Sequence, residues 1–350
     1  MFWDIQHQNL SRDPISYNRP SDRPVVQRVS MSLICVVGAT GTQGGSVCRE
    51  LVKMQSWKVR GLCRNTQSAN AKELQALGVE MVSADLDSPE TLVNAFKGAV
   101  AIFATGYFWH FVPQMSLQAA GEAELKQLIN VANAAAKIPT LQHLVLSVLP
   151  HCDKISGGKL PCTHLDCKAL ASEYVKRELP HLAAKTTYLW VGFYFENFLA
   201  QENGLMRPQP FFGKYLLALP SKPNGVVPIA GLVSKNVGIA VRGILASGSR
   251  VFRKYVPLVT NYVTMTDIVA AWSEVTGETA AFAEIEDSEY AKLFGPFGTE
   301  MALQFRFSEA FPNWLSLFPT ETSSLRDIGV ESELVGFHDG LQQFRAQLIL

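Results

Sequence analysis

The sequence predicts an α/β protein, a doubly wound parallel Rossmann sheet with a smaller C-terminal α+β lobe. Three observations carry this. An unbroken apolar run, Leu33 to Val37, ends in a glycine turn and passes at once into a helical pattern. Strand-like runs then alternate with helical stretches as far as "TTYLWV". Beyond about residue 200, short apolar runs broken by Pro and Asn-Gly replace that alternation.

The first strand, LICVV, shows no polar alternation, which is how a strand covered on both faces reads. Gly38, Gly41 and Gly44 follow as a GxxGxxG turn, and Val47, Leu51, Val52 and Met54 then recur at helical spacing. Such a chain must turn tightly, approach a pyrophosphate closely and pack a helix on a strand, and a Cβ obstructs each step. The new helix also offers unpaired N–H groups and the positive end of its dipole to phosphate. Gly38, Thr40, Gly41, Thr42, Gln43 and Gly44 are therefore the expected dinucleotide turn.

The second strand, WKVRGLCR, closes on Arg64, then Asn65, Thr66, Gln67 and Ser68. A site for NAD would place Asp or Glu about 20 residues after the glycines, to hold the ribose 2′-hydroxyl. Arg64 suits a 2′-phosphate instead, Lys72 adds charge, and NADP is the expected cofactor. VEMVSADLD reads as a third strand leading to Asp85 and Leu86 beside the adenine. VAIFATG is a fourth, ending at Thr105, Gly106 and Tyr107 near the middle of the dinucleotide, and HLVLSVL is a fifth. Helices are expected around 71–77, 88–97 and 115–137.

The sixth strand, TTYLWV, runs into GFYFENF. There Gly192 allows a close backbone approach, and Phe193, Phe195 and Asn197 either floor a ligand pocket or belong to the core. TGYFWHF, residues 105–111, adds Tyr107, Trp109 and His110 near the same strand ends. Further on, the pattern predicts a hairpin or an extended loop crossing back to the sheet, a helix from about Ser234, and a helix in TMTDIVAAWSEVTGE with a Thr start and a Gly stop. Phe294, Phe297, Phe305, Phe307, Phe311, Trp314 and Phe318 are expected to pack the second lobe or to face a partner.

The chain has 350 residues, with Lys plus Arg and Asp plus Glu both at 31, so no excess positive field favours nucleic acid. Six cysteines without a CxxC pair read as reduced thiols, which points to the cytosol, with the nucleus as the alternative compartment. No apolar run approaches the roughly 20 residues of a membrane span. Residues 1–30 read as a disordered leader, residues 31–191 as the cofactor-binding domain with later segments returning to its sheet, and residues 192–350 as the smaller lobe. His151, Cys152, Cys162, His164 and Cys167 fall within 17 residues. Of the cysteines, Cys162 and Cys167 alone stand at a spacing that metal ligands use, without a second such pair, so no metal is expected. DKISGGKLPC, with its glycines and lysines, reads as a mobile loop.

GATGTQGGSV, Arg64, the DLD at 85–87, THLDCK at 163–168 and VGFYFENF at 191–198 together resemble the NmrA-like family, atypical members of the extended short-chain dehydrogenase/reductases. The resemblance covers about residues 31 to 345. It implies an NADP-preferring Rossmann domain and a smaller lobe closing over the nicotinamide. Its members divide between sensors of the NADP to NADPH ratio, which bind a regulatory protein, and reductases of secondary metabolism. Short-chain reductases place a Ser after the fifth strand and a YxxxK on the next helix. Ser147 and Lys168 match, while His164 stands at the tyrosine position. Residues four apart share a helix face, so His164 and Lys168 are expected to point together toward the cofactor. Either His164 replaces Tyr as the acid, with its pKa depressed by the neighbouring lysine, or the acid is lost and Lys168 only holds the ribose. Tyr107 is a second candidate acid. The expected activity is NADPH-dependent reduction of a carbonyl or imine-like group in a secondary metabolite; the alternative is a non-catalytic NADP(H) sensor that regulates a partner protein.

Overall fold

In the chain's first half, each strand is followed by a helix that returns across the sheet. The computed structural model describes residues 31–199 and 206–349, so the expected leader lies outside the described residues. The chain runs through β1 (Ser32–Val37), α1 (Thr42–Leu51), β2 (Trp57–Cys63), α2 (Ala69–Ala76), β3 (Glu80–Ser83), α3 (Pro89–Phe96), β4 (Ala101–Ala104), α4 (Leu117–Ala136) and β5 (His143–Val148). There follow α5 (Cys152–Ile155), α6 (Thr163–Glu178), α7 (Pro180–Ala183), β6 (Thr186–Val191), β7 (Phe193–Tyr194), β8 (Gln209–Phe211), β9 (Lys214–Leu219), β10 (Val226–Gly231) and α8 (Val233–Ser247). After them come β11 (Tyr255–Leu258), β12 (Asn261–Thr264), α9 (Met265–Thr276), β13 (Ala280–Glu284) and α10 (Asp287–Ala310).

The central sheet has seven strands in the order β11-β6-β5-β4-β1-β2-β3, and every pairing is parallel. β1 and β4 are neighbours, so the chain reverses direction across the sheet there, and ligands of such sheets lie beyond the carboxyl ends of those strands. One apolar layer, with Leu92, Phe96, Leu128, Val131 and Trp190, fills one face. A second, with Val47, Leu51, Val237, Val241 and Ile244, fills the other. On that second face α1 meets α8 closely: a Cβ on Gly238 would stand 2.4 Å from the Ser46 carbonyl oxygen. The doubly covered strands explain why β1 reads as a continuous apolar run.

The rest of the chain builds two three-stranded sheets, β12-β10-β7 and β13-β9-β8. Of the hairpin and the extended loop, the structure has the hairpin, β8 pairing antiparallel with β9. α9 starts at a Thr264–Asp267 capping box and stops at Gly277 in the left-handed region, as its sequence predicts. α10 is interrupted at Gly295, whose φ is 59° and ψ −140°, with Pro296 behind it. Among the described residues, no helix is long and apolar enough to cross a membrane.

Candidate functional site

At the carboxyl end of β1 the backbone turns through Gly38, at φ +70°. A Cβ on Gly44 would lie 2.2 Å from the Gly38 carbonyl oxygen, so strand and helix come together only with glycine there. α1 begins at Gly41 without a side-chain cap, which leaves its first N–H groups to a ligand. Asn70 Nδ2 donates to the Thr40 carbonyl at 3.1 Å and fixes the turn against α2. Thr105 stands beside it, its Cγ2 3.2 Å from where a Gly38 Cβ would be.

Arg64 is exposed at the end of β2, and its Nη1 lies 3.2 Å from His110 Nε2. Among the described residues no carboxylate pairs with it, so its charge is open to a phosphate. Asp85 is exposed and caps its own turn, Oδ1 accepting from the Asp87 N–H at 3.0 Å, and the Leu86 carbonyl is held by Asn130 at 2.9 Å. Tyr107 is 65% exposed and stacks on His110.

Ser147, at the end of β5, donates from Oγ to Gln43 Oε1 at 2.8 Å, and Gln43 Nε2 donates to Tyr194 Oη at 2.5 Å. A hydroxyl, an amide and a phenol from three separated segments thus form one chain. Tyr194 accepts within it, so its own O–H remains available to another acceptor. Burial pushes the Tyr194 phenol up, with Gln43 and Lys168 offsetting only part of that, so it stays protonated. The expected floor of Phe193 and Phe195 needs correction. Phe193 stacks on Phe305, and Phe195 is fully buried against Phe198 and Phe344. β7 turns Phe193 into this core and Tyr194 toward the glycine turn, and the 3-10 turn that starts at Phe195 carries that ring back into the core. The close approach at Gly192 is likewise internal, since a Cβ there would meet the Pro228 carbonyl oxygen at 2.5 Å. Asn197, part of the same expected floor, is half-buried.

α6 carries the remaining candidates. Lys168 Nζ donates to Glu124 Oε2 at 2.6 Å and to the His164 carbonyl at 3.2 Å. Burial opposes its charge, but Glu124, with Cys167 and Tyr194 adding to it, outweighs burial and holds the ammonium form. Glu124 is fully buried, also accepts from Cys167 at 3.0 Å, and leaves Oε1 without a hydrogen bond. A Cβ on Gly106 would stand 2.2 Å from that oxygen.

His164 does not have the depressed pKa expected from a neighbouring lysine. Burial does act in that direction, but Cys162 and Glu300 reverse it, and the imidazole is pushed up to about 9. Glu300 Oε1 lies 2.7 Å from His164 Nδ1 and also accepts the His164 backbone N–H at 2.8 Å. The cause is that Lys168 is already engaged by Glu124, while Glu300 reaches His164 from α10. The grouping of histidines and cysteines also divides. His151 lies 3.1 Å from Glu173, and Cys167 turns to Glu124, while Cys162, His164 and Glu300 converge within 4.8 Å. All six cysteines are free thiols. The loop 153–162 overlaps α5, and Asp166 joins its two ends by accepting from the Asp153 and Cys162 N–H groups at 3.1 and 2.7 Å.

The NmrA-like family model matches residues 30–327. The chain belongs to the NmrA-like family. An NmrA-like family domain-containing protein of Dictyostelium discoideum is 26% identical over 90% of this chain and 98% of its own. The NmrA-like family domain-containing oxidoreductase FrzB of Cladobotryum sp is 30% identical, covering 79% and 84%. Among solved structures, the negative transcriptional regulator NmrA in complex with NADP superimposes with a TM-score of 0.70 at 21% identity, covering 90% of this chain and 96% of that one. In this NmrA-like chain Tyr194, Glu124 and Glu300 join the site without being expected from the sequence. Glu124 does leave a signal: it sits among Ala120, Leu128 and Val131 on the buried face of α4.

Proposed function

We propose that this chain binds NADP(H) at the glycine turn and reduces a carbonyl or imine-like group in a small, partly aromatic metabolite. The observation that carries this reading is the Ser147–Gln43–Tyr194 chain, which joins the start of α1 to the ends of β5 and β7. The glycine turn and the uncapped start of α1 fit a pyrophosphate, and Arg64 fits a 2′-phosphate. When bound, the dihydronicotinamide supplies hydride to the electrophilic carbon. Tyr194 gives its O–H proton to the oxygen or nitrogen that becomes negative, Ser147 and Gln43 orient the acceptor, and Lys168 holds the ribose. Glu124 keeps Lys168 charged and in place. His164 is assigned no part as the acid, because it is buried and fixed to Glu300, while the Ser147–Gln43–Tyr194 chain presents the phenol.

The similarity to an oxidoreductase relative supports an enzyme. A second reading, a non-catalytic NADP(H) sensor that regulates a partner protein, is favoured by the burial of His164 at the position where reductases carry Tyr and by the likeness to a transcriptional regulator. We place the protein in the cytosol, with the nucleus as the alternative.

The test follows NADPH absorbance against ketones, enones and imines with wild type, Tyr194→Phe and Lys168→Ala. Loss of turnover by about 10²-fold or more in Tyr194→Phe, with NADPH still bound, supports the reductase. No oxidation across the panel, together with a partner-binding difference between NADP and NADPH forms, supports the sensor instead.

A further inference from the structure

We propose that Cys162, His164 and Glu300 form a zinc site, with a water molecule completing the coordination. The three side chains come from the start of α6 and from α10, and all are buried: Cys162 at 0%, His164 at 6% and Glu300 at 1% exposure. Their spacing is already close to that of ligands around one ion. With Zn–S near 2.3 Å and Zn–N and Zn–O near 2.1 Å, tetrahedral angles put sulfur about 3.6 Å from each of the other donors and nitrogen about 3.4 Å from oxygen. Cys162 Sγ lies 3.5 Å from His164 Nδ1 and 3.5 Å from Glu300 Oε1. Only the His164–Glu300 edge, at 2.7 Å, must open, and that edge is the hydrogen bond an ion replaces.

The donor chemistry points to zinc. One thiolate, one imidazole and one carboxylate in a tetrahedral arrangement suit Zn²⁺ over Mg²⁺ or Ca²⁺, and one thiolate plus one carboxylate neutralise its charge in a buried site. Binding releases the Cys162 thiol proton and the proton on His164 Nδ1 to solvent. Glu300 already orients the His164 backbone, and Trp109 lies 5.0 Å from the imidazole, so little of the site must be rebuilt. The role is to clamp the start of α6, four residues from Lys168, to α10. It does not depend on the reductase reading.

The experiment is metal uptake by the full chain, prepared with a chelator and then dialysed. Zn²⁺ competition with a chromophoric chelator is expected to give one site per chain. Co²⁺ is expected to give a thiolate charge-transfer band and the strong visible absorption of tetrahedral cobalt. Cys162→Ser and Glu300→Gln should each weaken Zn²⁺ binding by at least tenfold, while Cys152→Ser, which alters a neighbouring thiol outside the donor set, should leave it unchanged. Circular dichroism confirms that each variant is folded. Absence of stoichiometric Zn²⁺ uptake by wild type, a cobalt spectrum without the thiolate band, or equal loss in Cys152→Ser would overturn the site, whatever becomes of the variants.

Discussion

Two buried glutamates serve α6 in parallel ways, and their difference separates structure from function. Glu300 gathers the His164 backbone N–H, His164 Nδ1 and Cys162 Sγ on one oxygen. Glu124 takes Lys168 Nζ and Cys167 Sγ on one oxygen and leaves the other, beside Gly106, without a hydrogen bond. An orphaned buried carboxylate oxygen costs stability and persists where something else needs the geometry. Glu300 therefore marks the rigid end of the helix, and Glu124 the end where one carboxylate oxygen has no protein donor. His164 stands at the position where the family resemblance expects an acid, yet it belongs to the rigid end.

The largest effect should come from the rigid end. Glu300→Ala leaves a buried imidazole and thiol without their acceptor and should cost about 3–5 kcal/mol in urea unfolding. A loss below about 1 kcal/mol would show that water reaches the cluster and would dissolve the contrast.

A control away from both glutamates comes next. His143, buried with Nε2 2.8 Å from Thr187 Oγ1, has its pKa pulled down by burial to about 4. The unfolded chain, with His near 6.5, binds more protons between these values, so stability should fall as pH drops from about 6.5 toward 4, by on the order of 3 kcal/mol. His143→Gln should flatten that slope. An unchanged slope would assign acid sensitivity to other groups, the two carboxylates included.

Smaller still is Gly106→Ala. Its Cβ would press on Glu124 Oε1, and moving that side chain should cost about 1–3 kcal/mol. In a Glu124→Ala background the cost should largely disappear, because contacting sites do not add. Additive losses would mean that Gly106 is needed for its backbone alone.

What was legible in the sequence follows the same division. The glycine turn, the alternation of strands and helices, and the Thr264 and Gly277 ends of α9 rest on neighbours within a few residues, so pattern and turn chemistry suffice. Glu124 and Glu300 act 44 and 136 residues from their partners on α6, and no local rule reports that. Glu300 lies three residues after Phe297 and seven before Phe307, which places it at a helical period with aromatic neighbours, the trace a buried carboxylate leaves. Tyr194 is obscured by the two phenylalanines beside it; the strand separates it from Phe193, and the 3-10 turn that follows separates it from Phe195.

In the reading proposed above, NADP(H), held by the glycine turn and Arg64, is the ligand at the Glu124 end. Calorimetric titration of NADPH and NADH into the purified full-length chain, with Arg64→Ala alongside, decides whether that holds. We predict that NADPH binds at least tenfold more tightly than NADH and that Arg64→Ala removes about 1.5–3 kcal/mol from NADPH binding alone, the worth of a charge-assisted hydrogen bond. Equal affinities for the two cofactors, or binding to neither, would refute the NADP(H) site.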